Sequence, residues 1–419
     1  MPNPLRFPAD GLPDVLSTPA EFAHAATRLS KGFGPVAVDT ERASSFRFDD
    51  RAFLIQLRRR GVGTLLLAPE GNRKALTKHL GPVLNKLEWV IHSAPSDMPS
   101  LLALGLYPTS LVDTEKAARL AGFPQPNLAR LVSDVLGLEL AKGHGREDWS
   151  TTPLPKDWVI YAALDVEVLL ELGEALIELL DNTQKLDWAE QEFRHILASF
   201  PPRRHHRTGD VLVTPLPTNH WRDIKGIGTL HSQQQLAIAR ALWRTRDRIC
   251  QARDIAPNRV LRNKDLIALA QAAATTPAAA AAAIGIPSRN SKATRWSTVA
   301  AKALQQDAKS WPKPAPHNPV PFPSQKHWNE EYPQVMAFFT AARGALEAAA
   351  EELNVPLECI ISMNSLRNIA WECVEVHGVC HAEVIAGVLE SYSARPWQID
   401  LIIGVLCGHP RPFDPHPGG

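Results

Sequence analysis

Carboxylates close apolar runs at several points along this chain, and that placement restricts how it can fold. Asp39 and Glu41 end VAVDTE, Asp97 lies in VIHSAPSDMPSL, and Asp165 lies in VIYAALDVEVLL, four residues after Tyr161. A carboxylate beside buried apolar surface is costly without a counter-charge. Acids gathered from separate segments repel one another, and a divalent cation is the usual remedy. Hard oxygen donors select Mg²⁺ or Mn²⁺. Residues two apart in a strand face the same way, so Asp39 and Glu41 project together with Thr40 on the other face. Such a pair can ligate two cations about 3.5–4 Å apart, an arrangement that hydrolyses phosphodiesters. Taken alone, D-x-E at a strand exit equally fits a solvated pair. Tyr161 and Asp165 are one helical turn apart and share a face. A tyrosine hydroxyl there can orient an attacking water, or it can be a satisfied core hydroxyl.

The surrounding pattern predicts a mixed sheet with helices against it. Residues 36–41 read as a buried strand entered from the turn GFGP. FLIQLRR (53–59) and GTLLLAP (63–69) read as a hairpin, and WVIHSA (89–94) as a fourth strand. GNRKALTKHLGPVLNKL has helical spacing. Pro95 is expected to open a helix with Asp97 in its first turn, where negative charge suits the helix dipole. LVDTEKAARLAG reads as a short strand and then a helix. NLARLVSDVLG reads as a helix capped by Asn127 and closed by Gly137. Residues 155–180 read as one long amphipathic helix.

Beyond residue 200 the character changes. The net charge is only +1, yet residues 201–320 carry 19 Lys+Arg against 6 Asp+Glu. The flanking segments 1–200 (21 against 26) and 321–419 (5 against 12) are both acidic. A basic middle between acidic thirds is a footprint for a polyanion that the whole-chain charge conceals. The expected organisation is residues 1–200 as the acidic α/β domain, 201–220 as a linker and 221–310 as a basic all-helical domain. A Pro-rich linker (311–324), a second helical domain (325–408) and a disordered tail (409–419) follow. RTRDRICQARDIAPNRVLRNKDLIALA and FFTAARGALEAAAEELNVPLECIISMNSLRNIA share a layout, which reads as a degenerate duplication. Lys225, Arg240, Arg244 and Arg248 are the candidate nucleic-acid contacts, with Trp243 fitting the core by its spacing. Five cysteines without framework spacing fit a reducing compartment. No apolar run approaches the roughly 20 residues of a membrane helix. The N-terminus lacks the pattern of a signal peptide, so a cytoplasmic, membrane-free location is expected. Cys373, His377, Cys380 and His381 match no standard zinc finger and read better as buried helix-face residues.

In combination these pieces are far more specific. DTE after a strand, H-S-A-x-x-D, and then Y-A-A-L-D-V form the pattern of the DEDD exonucleases in their tyrosine-bearing branch, and the chain resembles the ribonuclease D family. LIQL, LVDTEKAARLAG and DWSTTPL are also similar to that family. WRDIKGIGTL and the helices after it resemble the helicase-and-RNase-D C-terminal (HRDC) domain, and the block after 325 resembles it weakly. The resemblance implies a ribonuclease-H-like fold followed by two all-α HRDC-like domains. It also implies metal ligation by Asp39, Glu41, Asp97 and Asp165, two Mg²⁺ or Mn²⁺ ions, and water positioning by Tyr161. The implied reaction is 3′→5′ hydrolysis of RNA to nucleoside 5′-monophosphates, in maturation of tRNA-like and other small stable RNA precursors, by a monomer. Two other readings stand beside it: a single-strand DNA 3′–5′ exonuclease, and a catalytically idle RNA-binding scaffold. Thr152, where relatives usually carry arginine, and Trp158, where glutamine is common, depart from the pattern and bear on substrate grip.

Overall fold

The structure is a computed structural model that describes residues 3–140, 143–217, 220–314 and 322–408. The expected tail (409–419) and parts of both expected linkers, residues 218–219 and 315–321, lie outside the described residues.

The first 140 residues contribute eight strands. They are β1 (Asn3–Leu5), β2 (Val15–Leu16), β3 (Phe33–Arg42), β4 (Ala52–Arg60), β5 (Gly63–Leu67), β6 (Glu88–Ile91), β7 (Ser110–Asp113) and β8 (Leu138–Leu140). Six of them form one sheet in the order β2-β5-β4-β3-β6-β7. β3–β4 and β4–β5 are antiparallel, whereas β2–β5, β3–β6 and β6–β7 are parallel, so the sheet is mixed as expected. Val36, Ala37 and Val38 are buried in succession, because the centre of the sheet is covered on both faces. β6 pairs with β3 only at Val36 and Ala37. The far end of β3, where Asp39 to Arg42 lie, is therefore free of β6 along that edge.

Helices α1 (Pro19–Lys31), α2 (Arg73–Leu84), α3 (Met98–Leu102), α4 (Thr114–Leu120), α5 (Leu128–Leu136), α6 (Lys156–Glu167), α7 (Leu169–Asn182) and α8 (Leu186–Ser199) complete this part. α5 is capped by the Asn127 side chain and closed by left-handed Gly137, as its sequence signals predict. α1 is absent from the sequence expectation, although a capping box between Thr18 and Glu21 marks its start. The single helix expected over 155–180 is two, broken at Val168 (φ −114°, ψ 5°). Beside the break the buried Glu167 turns inward. Its Oε2 lies 3.0 Å from Arg58 Nη1, and its Oε1 accepts from the Ala9 amide at 3.1 Å. A buried carboxylate must find such partners, and the helix is interrupted next to the residue that does.

The basic segment forms α9 (Gln233–Arg253), a short helix Pro257–Val260, and helices Asn263–Gln271, Pro277–Ile284 and Ser291–Leu304 around its own core of Leu242, Leu266 and Trp296. The last block repeats the succession of a long, a four-residue and a nine-residue helix in Pro333–Glu352, Leu357–Ile360 and Met363–Trp371. Its apolar side chains are continuous with the core of the α/β part. Trp397 stacks on Trp188 with ring centroids 4.7 Å apart. The buried Glu192 of α8 accepts from Arg395 Nε at 2.6 Å and from Trp397 Nε1 at 3.0 Å. Lys185 Nζ bridges the carbonyls of Leu120 and Leu353 at 3.1 and 2.6 Å. No helix among the described residues is long and apolar enough to cross a membrane.

Candidate active site

The sheet and α6 bring three of the four acids together. Asp39 and Glu41 leave the same face of β3, and Asp165 comes down from α6, which packs on β3, β4 and β5. One carboxylate oxygen from each lies within 4.8 Å of the other two. They line a cavity of about 480 Å³ that Tyr161 and Asp97 also border. Glu41 is almost fully covered, and burial together with the charges of Asp39, Asp165 and Asp97 pushes its carboxyl up to about 10. Burial pushes Asp165 up to about 7, against a hydrogen bond from Tyr161 that pulls it down. Burial, then Asp97 and Asp165, hold Asp39 well above the usual carboxylate range. Mutually repelling, half-buried to buried, all-oxygen donors are a set that a hard divalent cation fits. Across the strand pair from Asp39, the fully buried Gln56 has both amide atoms without a hydrogen-bond partner.

Asp97 stands apart from that trio. It was expected in the first turn of a helix, but residues Ala94–Ser96 form a 3₁₀ turn and Asp97 precedes α3 without capping it. Its Oδ1 accepts from Thr40 Oγ1 at 2.6 Å and its Oδ2 from Ser96 Oγ at 3.0 Å. Arg42 Nη1 is 3.5 Å from Oδ1. Thr40 and Arg42 are the alternate residues of the strand that carries Asp39 and Glu41. The turn that presents Asp97 is organised by buried Asp113, which accepts from the Ala94 amide at 2.8 Å and the Ser93 amide at 3.3 Å. Ser93 sits at φ 63°, a conformation a non-glycine residue adopts only when its surroundings fix it. Neither Asp113 nor Arg42 was singled out from sequence. An aspartate closing the run SLVD just before a helix was a usable signal for the first.

Tyr161 lies one turn from Asp165 on α6 and hydrogen-bonds its carboxylate. Burial and the surrounding acids raise its hydroxyl, so it remains a neutral donor. Its ring meets His144 edge-on at 5.7 Å and lies 6.4 Å from Trp149. Trp158, the departure noted in the sequence, packs into the same aromatic group.

The four basic candidates are far from equivalent. Lys225, Arg244 and Arg248 are exposed, whereas Arg240 is half-buried and donates to the Ser310 carbonyl at 3.0 Å. Trp243 is half-buried against the core of its own domain. In the last block Cys373 is buried and Cys380 half-buried, but His377 and His381 are exposed, so the burial expected there holds for Cys373, in part for Cys380 and not for the histidines.

A mixed sheet whose central strand and covering helix deliver clustered carboxylates defines the 3′–5′ exonuclease class. The family described as 3′-5′ exonuclease matches residues 14–181, HRDC domain matches 235–292, and 3′ to 5′ exonuclease C-terminal domain matches 321–409. The chain thus carries a 3′-5′ exonuclease domain and an HRDC domain, and it is similar to ribonuclease D proteins. It is 27% identical over 241 residues to a ribonuclease D of Gluconacetobacter diazotrophicus, a match covering 54% of this chain and 58% of that one. The chain spans about half the length of the curated relatives it matches. A solved structure of a protein from Bifidobacterium adolescentis is 30% identical, with a TM-score of 0.78 over 98% of this chain and 99% of that one. RNase D of Escherichia coli, described as an exoribonuclease involved in structured RNA processing, shares the fold. That match has a TM-score of 0.63 at 21% identity, over 91% of this chain and 99% of that one.

Proposed function

We propose that this chain is a metal-dependent 3′→5′ exoribonuclease that removes nucleotides stepwise from RNA ends as nucleoside 5′-monophosphates. The observation that carries this reading is the convergence of Asp39, Glu41 and Asp165 within 4.8 Å in one cavity. Those three, with Asp97 beside them, would hold two divalent ions, Mg²⁺ or Mn²⁺. When bound, such ions activate water and stabilise the leaving 3′ oxygen.

The chain's own groups do the rest. Asp39 and Glu41 share one strand face, so their separation is set by the backbone and not by side-chain freedom. Tyr161, kept protonated by its surroundings, offers an O–H to orient the attacking water at the cluster. α6 walls one side of the cavity, and charge interactions against that low-dielectric wall are stronger than in open water. Exposed Arg244, Arg248 and Lys225 hold upstream phosphates without reading sequence. Arg240 contributes less because it is partly committed to Ser310. The substrates that suit this arrangement are single-stranded 3′ extensions on structured, tRNA-like precursors. The protein acts as a monomer in the cytoplasm.

The test is digestion of a 3′-end-mapped RNA and its DNA counterpart in Mg²⁺, Mn²⁺ or EDTA, with the products identified. Nucleoside 5′-monophosphates appearing from the RNA only with a cation support the reading. Equal or faster cleavage of the DNA turns it to the DNA exonuclease. Asp39→Asn and Asp165→Asn should abolish turnover and leave RNA binding largely intact. Activity surviving in EDTA or in either variant overturns the metal role.

A further inference from the structure

The acidic cavity contains its own cation. Among the described residues, Arg42 is the only permanently charged base lining it. His92, the other basic side chain there, is buried, donates or accepts at Thr114 Oγ1 over 2.9 Å, and is held neutral by burial. Arg42 follows Glu41 at a register irregularity between β3 and β4, a feature that re-aims side chains at strand ends. Its Nη1 donates to the Ser96 carbonyl and lies 3.5 Å from Asp97 Oδ1. With Thr40 on the same oxygen and Ser96 on the other, the Asp97 carboxylate is fully engaged. The trio of acids within 4.8 Å does not include it.

The two partners differ in access. The Arg42 side chain is 26% exposed and that of Asp97 is 4% exposed. An incoming phosphate can therefore reach the guanidinium but not the carboxylate. A guanidinium fork matches two oxygens of a phosphate as well as it matches a carboxylate.

Resting on the nuclease reading above, we propose that Arg42 is a positioning residue, a latch that holds Asp97 away from the cation site until a substrate phosphate takes the guanidinium. Divalent cation and RNA must each break the same Arg42–Asp97 pair. Whichever binds first bears that cost and the second does not, so the two ligands bind cooperatively through one side chain. The coupling is reciprocal, because linkage requires each ligand to change the affinity of the other by the same factor.

The experiment measures Mn²⁺ binding by calorimetry and by the electron-spin signal of free Mn²⁺. It uses the full chain, with and without adenosine 5′-monophosphate as a phosphate ligand that cannot be hydrolysed. In the native protein the nucleotide should raise Mn²⁺ affinity at least fivefold. Arg42→Gln should bind Mn²⁺ at least fivefold tighter without nucleotide, and the enhancement by nucleotide should shrink at least threefold. Arg42→Lys keeps the charge but loses the fork that spans Asp97 and the Ser96 carbonyl, so it too should tighten Mn²⁺ binding. A lysine variant with native Mn²⁺ affinity would reduce Arg42 to a bulk charge and overturn the latch. Unchanged or weaker binding in the glutamine variant, or an undiminished nucleotide effect, would overturn it as well. A native protein that binds no Mn²⁺ and releases no monophosphate would instead defeat the nuclease reading itself, so the two failures are distinguishable.

Discussion

Stripping divalent cations and then raising the pH should destabilise this protein. Burial and the charges of its neighbours push Glu41 up to about 10, from an ordinary value of 4.5. A carboxyl raised in this way binds its proton more tightly in the folded chain than in the unfolded one. The stability it contributes is complete below the unfolded value and is lost as the pH climbs toward the folded one. One such proton is worth about 1.4 kcal/mol per pH unit, so Glu41 alone should cost about 3 kcal/mol between about pH 7 and 9. Asp165, raised to about 7, steepens the slope only below that window. His92, pushed down to about 4, acts between that value and its ordinary 6.5, and so also lies below the window. With Mg²⁺ bound, the carboxylates are compensated while ionised, and the slope should flatten. Urea unfolding at pH 7, 8 and 9, in EDTA and in Mg²⁺, measures both. Stability in EDTA that holds level or rises across this range refutes the reasoning, as do equal slopes with and without the cation.

Tyr161→Phe should lower kcat by roughly 10²-fold or more with little change in KM, since a positioned proton donor of this kind acts in the transition state. Single-turnover digestion of a short RNA reads this directly. Reversing Arg244 and Arg248 to glutamate should weaken RNA binding and lower the salt slope of log Kd by about 0.7 for each lost phosphate contact on a single strand. A titration series in NaCl shows it. Trp397→Ala removes a buried ring stacked on Trp188 and should cost about 3–5 kcal/mol. Denaturant unfolding would show a loss under about 1 kcal/mol if the last helical block were not an essential part of the α/β core.

The acids were legible in the sequence because each closes an apolar run, and a carboxylate there is expensive enough to need a reason. The alternation of β3 likewise made the pairing of Asp39 with Glu41 readable. The position of Asp97 was not readable in the same way. It depends on β6 ending early against β3, on Asp113 gripping the turn at Ser93, and on Thr40 and Arg42 reaching around the strand end. Those are contacts across 20 to 57 residues of sequence, with no local signature. The same holds for the break at Val168, where helical periodicity runs on but Glu167 is drawn to Arg58. In the last block, amphipathic helices announced that some apolar surface must be covered. Only the tertiary structure shows that α8 and its neighbours do the covering.

One connection gives the basic module its meaning beside the cavity. Loop 43–51 begins directly after Glu41 and Arg42, and it is the segment that the end of α9 holds. Asp254, in the left-handed conformation at that helix end, accepts from Arg51 Nη2 at 2.7 Å and from the Phe48 amide at 3.3 Å. The Ala256 amide donates to the Phe46 carbonyl at 3.0 Å, and Arg259 donates to the Ser45 carbonyl at 2.9 Å while lying over the Phe46 ring. Charged and backbone hydrogen bonds of this kind are directional, and several acting on nine residues leave the loop little freedom. The basic domain is therefore fixed to the segment that continues from the site, and is not carried on a free tether. A tethered module would only raise the local concentration of RNA around the cavity. A docked one would also set the direction from which a bound strand arrives, as the proposed 3′→5′ activity requires.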